Sequence, residues 1–137
     1  MPAPPDLIRK VTLFEGIEGR ELQRLAESFK ERRFDADSVI AEEGKSGVGF
    51  FVIAEGEAEV VVHGNLVDTL KAGDYFGEIA LIDEGARTAT VRATTPLHAY
   101  GITAWDFRAF VESNASVSWK LLVSLAKLLR QSQGQSA

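Results

Sequence analysis

Apolar residues recur every three or four positions at the two ends of this chain and gather into short, β-branched runs through its middle. At the N-terminus Pro4 and Pro5 precede Asp6, and Leu7, Ile8 and Val11 follow at helical spacing, which predicts a short helix. Leu13-Phe14-Glu15-Gly16-Ile17 reads as a turn. Leu22, Leu25, Ala26 and Phe29 share one face of a second helix predicted from Glu18 to about Phe29. The period then shortens. Arg33-Phe34, Val39-Ile40, Phe50 to Ile53, Ala58 to Val62, Leu66 to Leu70, Ala89 to Ala93 and Leu97 to Ile102 read as strands. Asp37-Ser38, Gly44, Gly47, Glu55-Gly56, His63-Gly64-Asn65, Gly73 and Pro96 punctuate them. Seven or eight short strands of this kind predict a barrel or a sandwich. Within one of them, alternation turns Ala58, Val60 and Val62 inward and Glu57, Glu59 and Val61 outward.

After Ile102 the helical period returns, with one helix predicted from Trp105 to about Ser113 and a longer one from Ser116 to about Gln131. The longer helix carries two apolar stripes: Val117, Leu121, Leu125 and Leu128 form one, and Leu122, Ala126 and Leu129 the other. That is wider than a one-faced surface helix needs. Either it packs deeply on the strands, or one face meets the barrel and ligand while the other meets a partner. The last residues, from Gln131, are polar and are predicted to fray.

Composition narrows the classes. The 137 residues form one predicted domain, 1–137, with N-terminal helices over 1–29, strands over 30–102 and C-terminal helices over 103–132. An apolar share of 45% supports a real core, and a net charge of -5 argues against a nucleic-acid surface. There is no cysteine, and the two histidines, His63 and His98, stand far apart, so neither a disulfide framework nor a metal centre is expected. Met1-Pro2-Ala3-Pro4-Pro5-Asp6 carries no secretory pattern, and the longest apolar run, Phe50 to Ala54, is too short to span a bilayer. A cytoplasmic protein without membrane insertion is the expectation.

The chemistry concentrates in residues 76–93. Gly77 and Glu78 are predicted to open a short apolar helix through Ile79, Ala80, Leu81 and Ile82, and Arg87, nine positions after Glu78, leads into a strand. A helix start presents unpaired N–H groups, and Gly77 lets a ligand approach the backbone closely. Arg87 offers a planar fork for an oxyanion, whereas the Glu78 carboxylate only accepts hydrogen bonds and so suits a sugar hydroxyl. Taken singly, each has a plain reading: a glutamate favours a first helical turn anyway, and Arg87 could pair with Asp83 or Glu84. Their combination and spacing carry the signal. Alternation places Thr88 and Thr90 on one strand face on either side of Ala89. Thr88 can donate to a phosphate or a base, and Thr90 is foremost a good strand former.

This stretch resembles the phosphate-binding cassette of cyclic-nucleotide-binding domains, the family of protein kinase A regulatory subunits, catabolite activator proteins and cyclic-nucleotide-regulated channels. The resemblance extends over nearly the whole chain through Gly44, Gly56 and Gly73. It is strongest to the channel-type domains at Tyr75-Phe76-Gly77-Glu78-Ile79, Arg87-Thr88-Ala89 and Val91-Arg92-Ala93. It implies a mainly β fold with flanking helices (α+β), an antiparallel β-roll or jelly-roll barrel, and a cAMP or cGMP sensor that is not an enzyme and needs no cofactor beyond its ligand. It further implies that Glu78 holds the ribose, that Arg87 and Thr88 hold the phosphate with Ala89 alongside, and that Gly77, Ile79 and Ala80 give backbone contacts. Val60, Val62, Leu70 and Phe76 would line the apolar part of the pocket. The final helix would close over the purine with Leu128, where hyperpolarisation-activated channels carry arginine. A threonine at the place of Thr88 is common in cGMP-selective kinases and channels of the family, where it can contact a syn guanine. Yet the hyperpolarisation-activated channels carry it too and favour cAMP; cAMP is expected ahead of cGMP. An output domain is missing from the chain, which points to an excised regulatory domain or a free-standing sensor acting on an unknown effector, with a homodimer through the final helix as one route. The alternative is a barrel that has lost its ligand and serves protein interaction.

Overall fold

A computed structural model describes residues 2–45, 49–77, 80–83 and 86–133. Helices α1 (Pro5–Ile8) and α2 (Gly19–Glu27) flank a 3-10 turn at Thr12–Phe14. Strands β1 (Lys30–Phe34), β2 (Val39–Ala41), β3 (Phe50–Glu55), β4 (Ala58–Val62), β5 (Asn65–Leu70) and β6 (Tyr75–Phe76) follow. Then come α3 (Ala80–Asp83), β7 (Thr90–Ala93), β8 (Leu97–Ile102), α4 (Ala104–Ser113) and α5 (Ser116–Gln133). The strands make two antiparallel sheets, β1-β8-β3-β6 and β2-β7-β4-β5, which gives the expected β-roll with helices at both chain ends.

Alternation in the two central strands explains the layering. In β3, Phe51 and Ile53 point into the space between the sheets, while Phe50 and Val52 point at the helices. In β8, Leu97 and Ala99 face the second sheet, and Tyr100 and Ile102 face the helices. Both faces of this sheet are therefore buried, which is why β3 reads as an unbroken apolar run. Gly101 stands opposite Phe51 in the ladder, and the Phe51 ring covers it; a methyl at Gly101 would meet ring carbons at 2.6 and 2.8 Å.

An aromatic knot joins the helices to the sheet. Phe14 packs edge-on against Phe29 (ring centroids 6.4 Å) and Phe50 (5.8 Å) and lies 5.9 Å from Phe107 of α4. Phe50 in turn meets Tyr75 at 5.7 Å. Burial of such rings, each beyond its area term, adds about 0.5–1.5 kcal/mol per pair.

The alternation expected in β4 is blunted. Ala58 is buried, but Glu59 to Val62 are all half-buried, because a bulge between Val60 and Val61 shifts the register against β5. The β4–β5 connection is a two-residue turn in which His63 (φ 51°) and Gly64 (φ 80°) both take left-handed backbone, the geometry that follows strand twist. In α4, Thr103 is the N-cap, its hydroxyl accepting the Asp106 N–H at 3.0 Å.

Candidate functional site: a buried arginine between two glycines

The segment from Tyr75 to Arg87 is fastened at both ends. At its start, Tyr75 turns to the helical side and shares a 2.9 Å hydrogen bond with the Thr12 hydroxyl. Phe76 turns the other way and stacks on Phe51 at 5.4 Å, inside the barrel. At its far end, the Arg87 N–H donates to the Lys45 carbonyl at 2.9 Å, and the Gly44 N–H donates to the Arg87 carbonyl at 2.8 Å.

The Arg87 side chain folds inward. Only 8% of the residue is exposed, and Nη2 donates to the Gly49 carbonyl oxygen. Gly77, at φ 89°, makes room for the fork. A methyl there would overlap Nη1 and stand 3.1 Å from Cζ and 2.8 Å from the Gly49 oxygen. Nε is buried without a hydrogen-bond partner. Burial pushes the guanidinium down from its ordinary value, although an arginine stays charged at any physiological pH. A desolvated cation with an unused donor is costly to hold, and an oxyanion is the group that repays it.

The remaining expected residues divide. Val60, Leu70 and Phe76 pack with Phe51, Ile53, Val91 and Ala93 in the core between the sheets. Val62 is half-buried at the turn end of β4, outside that cluster. Ala80 opens α3, so the helix begins past Gly77, which itself is not helical. Glu78 and Ile79 lie outside the described residues. Thr88 is exposed and Ala89 half-buried, and the two form a bend; β7 begins at Thr90. This corrects the expectation that Thr88 shares a strand face with Thr90, because strand alternation does not reach back to Thr88. The Thr90 hydroxyl accepts the Glu43 N–H at 3.0 Å instead.

Leu128 is half-buried on α5 and belongs to neither core cluster. The helix is seated on the N-terminal elements. Lys120 Nζ and the Ser116 hydroxyl both donate to the Glu21 carboxylate, and Lys127 Nζ lies 3.2 Å from Glu15. These Ser116 and Lys120 hydrogen bonds hold the Glu21 carboxyl below its ordinary value. Sequence reasoning missed Gly49: its part comes through a carbonyl oxygen, which any residue has, and through a methyl-free approach to the Ile102 carbonyl. Among the described residues no cluster of three metal-ligating side chains occurs, and no helix is long and apolar enough to cross a membrane.

Comparison with known proteins places the chain in a family. A family model described as "Cyclic nucleotide-binding domain" matches residues 31–114, from β1 to the end of α4. The cAMP-dependent protein kinase regulatory subunit of Schizosaccharomyces pombe is 40% identical over 92 residues, which is 66% of this chain and 22% of that protein. The cGMP-dependent protein kinase of Plasmodium berghei is 38% identical over 88 residues, 64% of this chain and 10% of that protein. The chain thus spans less than a quarter of these curated relatives. The crystal structure of the N-terminal domain of a transcriptional regulator from Streptomyces coelicolor A3(2) superposes with a TM-score of 0.87 at 24% identity. It covers 96% of this chain and 99% of that one, a likeness of fold. By this sequence match, the chain belongs to the cyclic nucleotide-binding domain family.

Proposed function

We propose that the chain is a single regulatory domain that binds cAMP, and cGMP less well, and signals by moving its C-terminal helix. The observation that carries this is Arg87: a buried guanidinium framed by Gly49 and Gly77, with Nε left to donate. A cyclic phosphate supplies one compact negative charge and acceptor oxygens for that fork. Thr88, exposed beside it, donates a second hydrogen bond to the phosphate. Glu78 takes the ribose hydroxyl, and the backbone from Gly77 to Ala80 completes the cradle. Val60, Leu70 and Phe76 give the apolar wall. The preference for cAMP rests on the 40% identical relative, which is by name a cAMP-dependent subunit; the cGMP kinase makes cGMP the comparison ligand. The domain regulates in the cytoplasm and catalyses nothing itself.

The route outward runs through α3. Leu81 and Ile82 line one wall of a groove of about 480 Å³ whose other walls are α4 (Phe107, Val111) and α5 (Leu121, Leu122, Leu125). A shift of α3 towards bound phosphate alters the seat of α5. A ligand that favours the shifted form by its differential affinity moves the population. Leu128 would then swing over the purine.

The outer face of α5 has a proposed role as well. Trp119, Leu122, Ala126 and Leu129 are exposed, three of them strongly (72%, 55% and 58% for the large residues), and their spacing alternates three and four. That is the seam of a two-stranded coiled coil, so a second copy of the chain is the proposed occupant, with an effector engaging the dimer.

Calorimetric titration with cAMP and with cGMP tests the reading. Arg87→Ala removes a charged hydrogen-bonding partner worth roughly 1.5–3 kcal/mol, so affinity should fall about ten- to a few-hundredfold. An unchanged isotherm in Arg87→Ala would overturn the site. Absence of binding by the parent would leave a ligand-free interaction barrel as the function.

A further inference from the structure

We infer that Glu43 is a positioning residue for the anion site, acting through the backbone of Arg87. This deepens the proposed function and rests on it. Glu43 is tied on two sides. Its own N–H donates to the Thr90 hydroxyl at 3.0 Å, fixing it to the start of β7. Its carboxylate takes the turn of the β4–β5 hairpin: Oε1 accepts the His63 N–H at 3.0 Å, and Oε2 lies 3.0 Å from His63 Nδ1. The two residues that follow Glu43 are the ones that pair with Arg87, Gly44 through its N–H and Lys45 through its carbonyl.

Three segments distant in sequence therefore meet at one residue: the hairpin turn at His63 on its carboxylate, the start of β7 at Thr90 on its N–H, and the chain that grips Arg87, which follows it directly. His63 has left-handed backbone, and its N–H at the tip of the hairpin finds its acceptor in Glu43. An alanine at position 43 frees the hairpin tip from the Gly44–Lys45 segment, and Arg87 then loses one wall of its clamp. The guanidinium must sit within a fraction of an ångström of its place, because the Gly49 carbonyl and the Gly77 backbone leave it no slack. Arg87 itself is untouched in such a variant, so the loss of affinity reports position alone.

The test uses the whole chain, with amide hydrogen exchange at Arg87 and calorimetry with cAMP and cGMP. Glu43→Ala should speed exchange of the Arg87 N–H about tenfold or more and weaken nucleotide binding about tenfold. Glu43→Gln keeps an acceptor for the His63 N–H and should hold affinity within about threefold. Thr90→Val, which removes the opposite tether, should copy Glu43→Ala in direction and serves in its place if the alanine variant fails to fold. In an Arg87→Lys background, Glu43→Ala should change affinity by less than about twofold, since the two act as one unit. Unchanged Arg87 exchange in Glu43→Ala, or a full tenfold loss persisting in the Arg87→Lys background, would overturn the inference. If the parent binds neither nucleotide, the ligand reading fails by itself, and Arg87 exchange alone decides the part played by Glu43.

Discussion

The two cores on either side of the β1-β8-β3-β6 sheet are held by different means. Between the sheets, ten buried residues among those described interlock with antiparallel ladders on every side, and the strands cannot move without breaking register. On the helical side the aromatic knot is equally dry, but α5 departs from it by degrees. Val117 and Leu121 are buried, Leu125 and Leu128 are half-buried, and the rest of its contact is polar: Glu21 with Ser116 and Lys120, Glu15 with Lys127. Exposed ion pairs of this kind contribute about 0–1 kcal/mol each. The fold thus combines a rigid barrel that holds Arg87 with a weakly latched C-terminal helix, the combination on which the proposed function rests.

The sharpest way to break the contrast is at the sheet shared by both cores. Phe50→Ala empties the centre of the aromatic knot and should cost about 3–5 kcal/mol, unfolding barrel and helices together in one thermal transition. Two separate transitions would show the cores to be independent. Gly77→Ala comes next. It asks a Cβ to share space with Arg87 at φ 89°, so stability should fall by more than about 1 kcal/mol and nucleotide binding should be lost. Melting curves with and without cAMP measure both, since a parent saturated at a hundredfold over its Kd gains about 2.7 kcal/mol.

Smaller effects belong to α5. Leu122→Lys and Leu129→Lys together should leave melting within about 0.5 kcal/mol of the parent, because both side chains are exposed, yet sedimentation should show any dimer dissociated. Glu21→Gln should loosen the latch and raise cAMP affinity by up to about fivefold, the worth of one surface pair. An unchanged or weaker affinity would show that α5 does not have to leave Glu21 for binding. Because Glu21 is held below its ordinary 4.5, undocking α5 takes up protons. The latch is complete above 4.5 and fades as pH falls through the lower docked value, where parent and variant should converge.

Most of the architecture was legible because alternation and helical spacing each leave a clear trace over five or more residues. The exceptions are short or indirect. Tyr75–Phe76 is a strand of two residues, too brief for any period, and it is recognised only by its pairing with Phe51 and Val52. Thr88 and Ala89 continue the composition of β7 but not its backbone, since the chain must bend after Arg87 has paired with Lys45. Of the site itself, Gly77 and Arg87 announced themselves by residue type. Gly49, Gly44 and Lys45 work through main-chain atoms, and main-chain atoms have no letter in a sequence. Glu43 was hidden for another reason: its partners lie 20 and 47 positions away, and a lone carboxylate before a turn has nothing to mark it.

The double fastening of the segment between Tyr75 and Arg87 has a consequence for exchange between proteins. Its anchors, Thr12, Phe51, Lys45 and Gly44, all lie outside it and take hold of one aromatic pair at one end and main-chain atoms at the other. Between them the scaffold itself holds Leu81, buried in the helical core beside Phe107 and Leu121, so a replacement segment has to bring an apolar side chain to that place. A graft that carries its own Tyr-Phe-Gly start, an apolar residue in the place of Leu81 and its own arginine, at the same length, should seat as a cartridge fits a fixed housing.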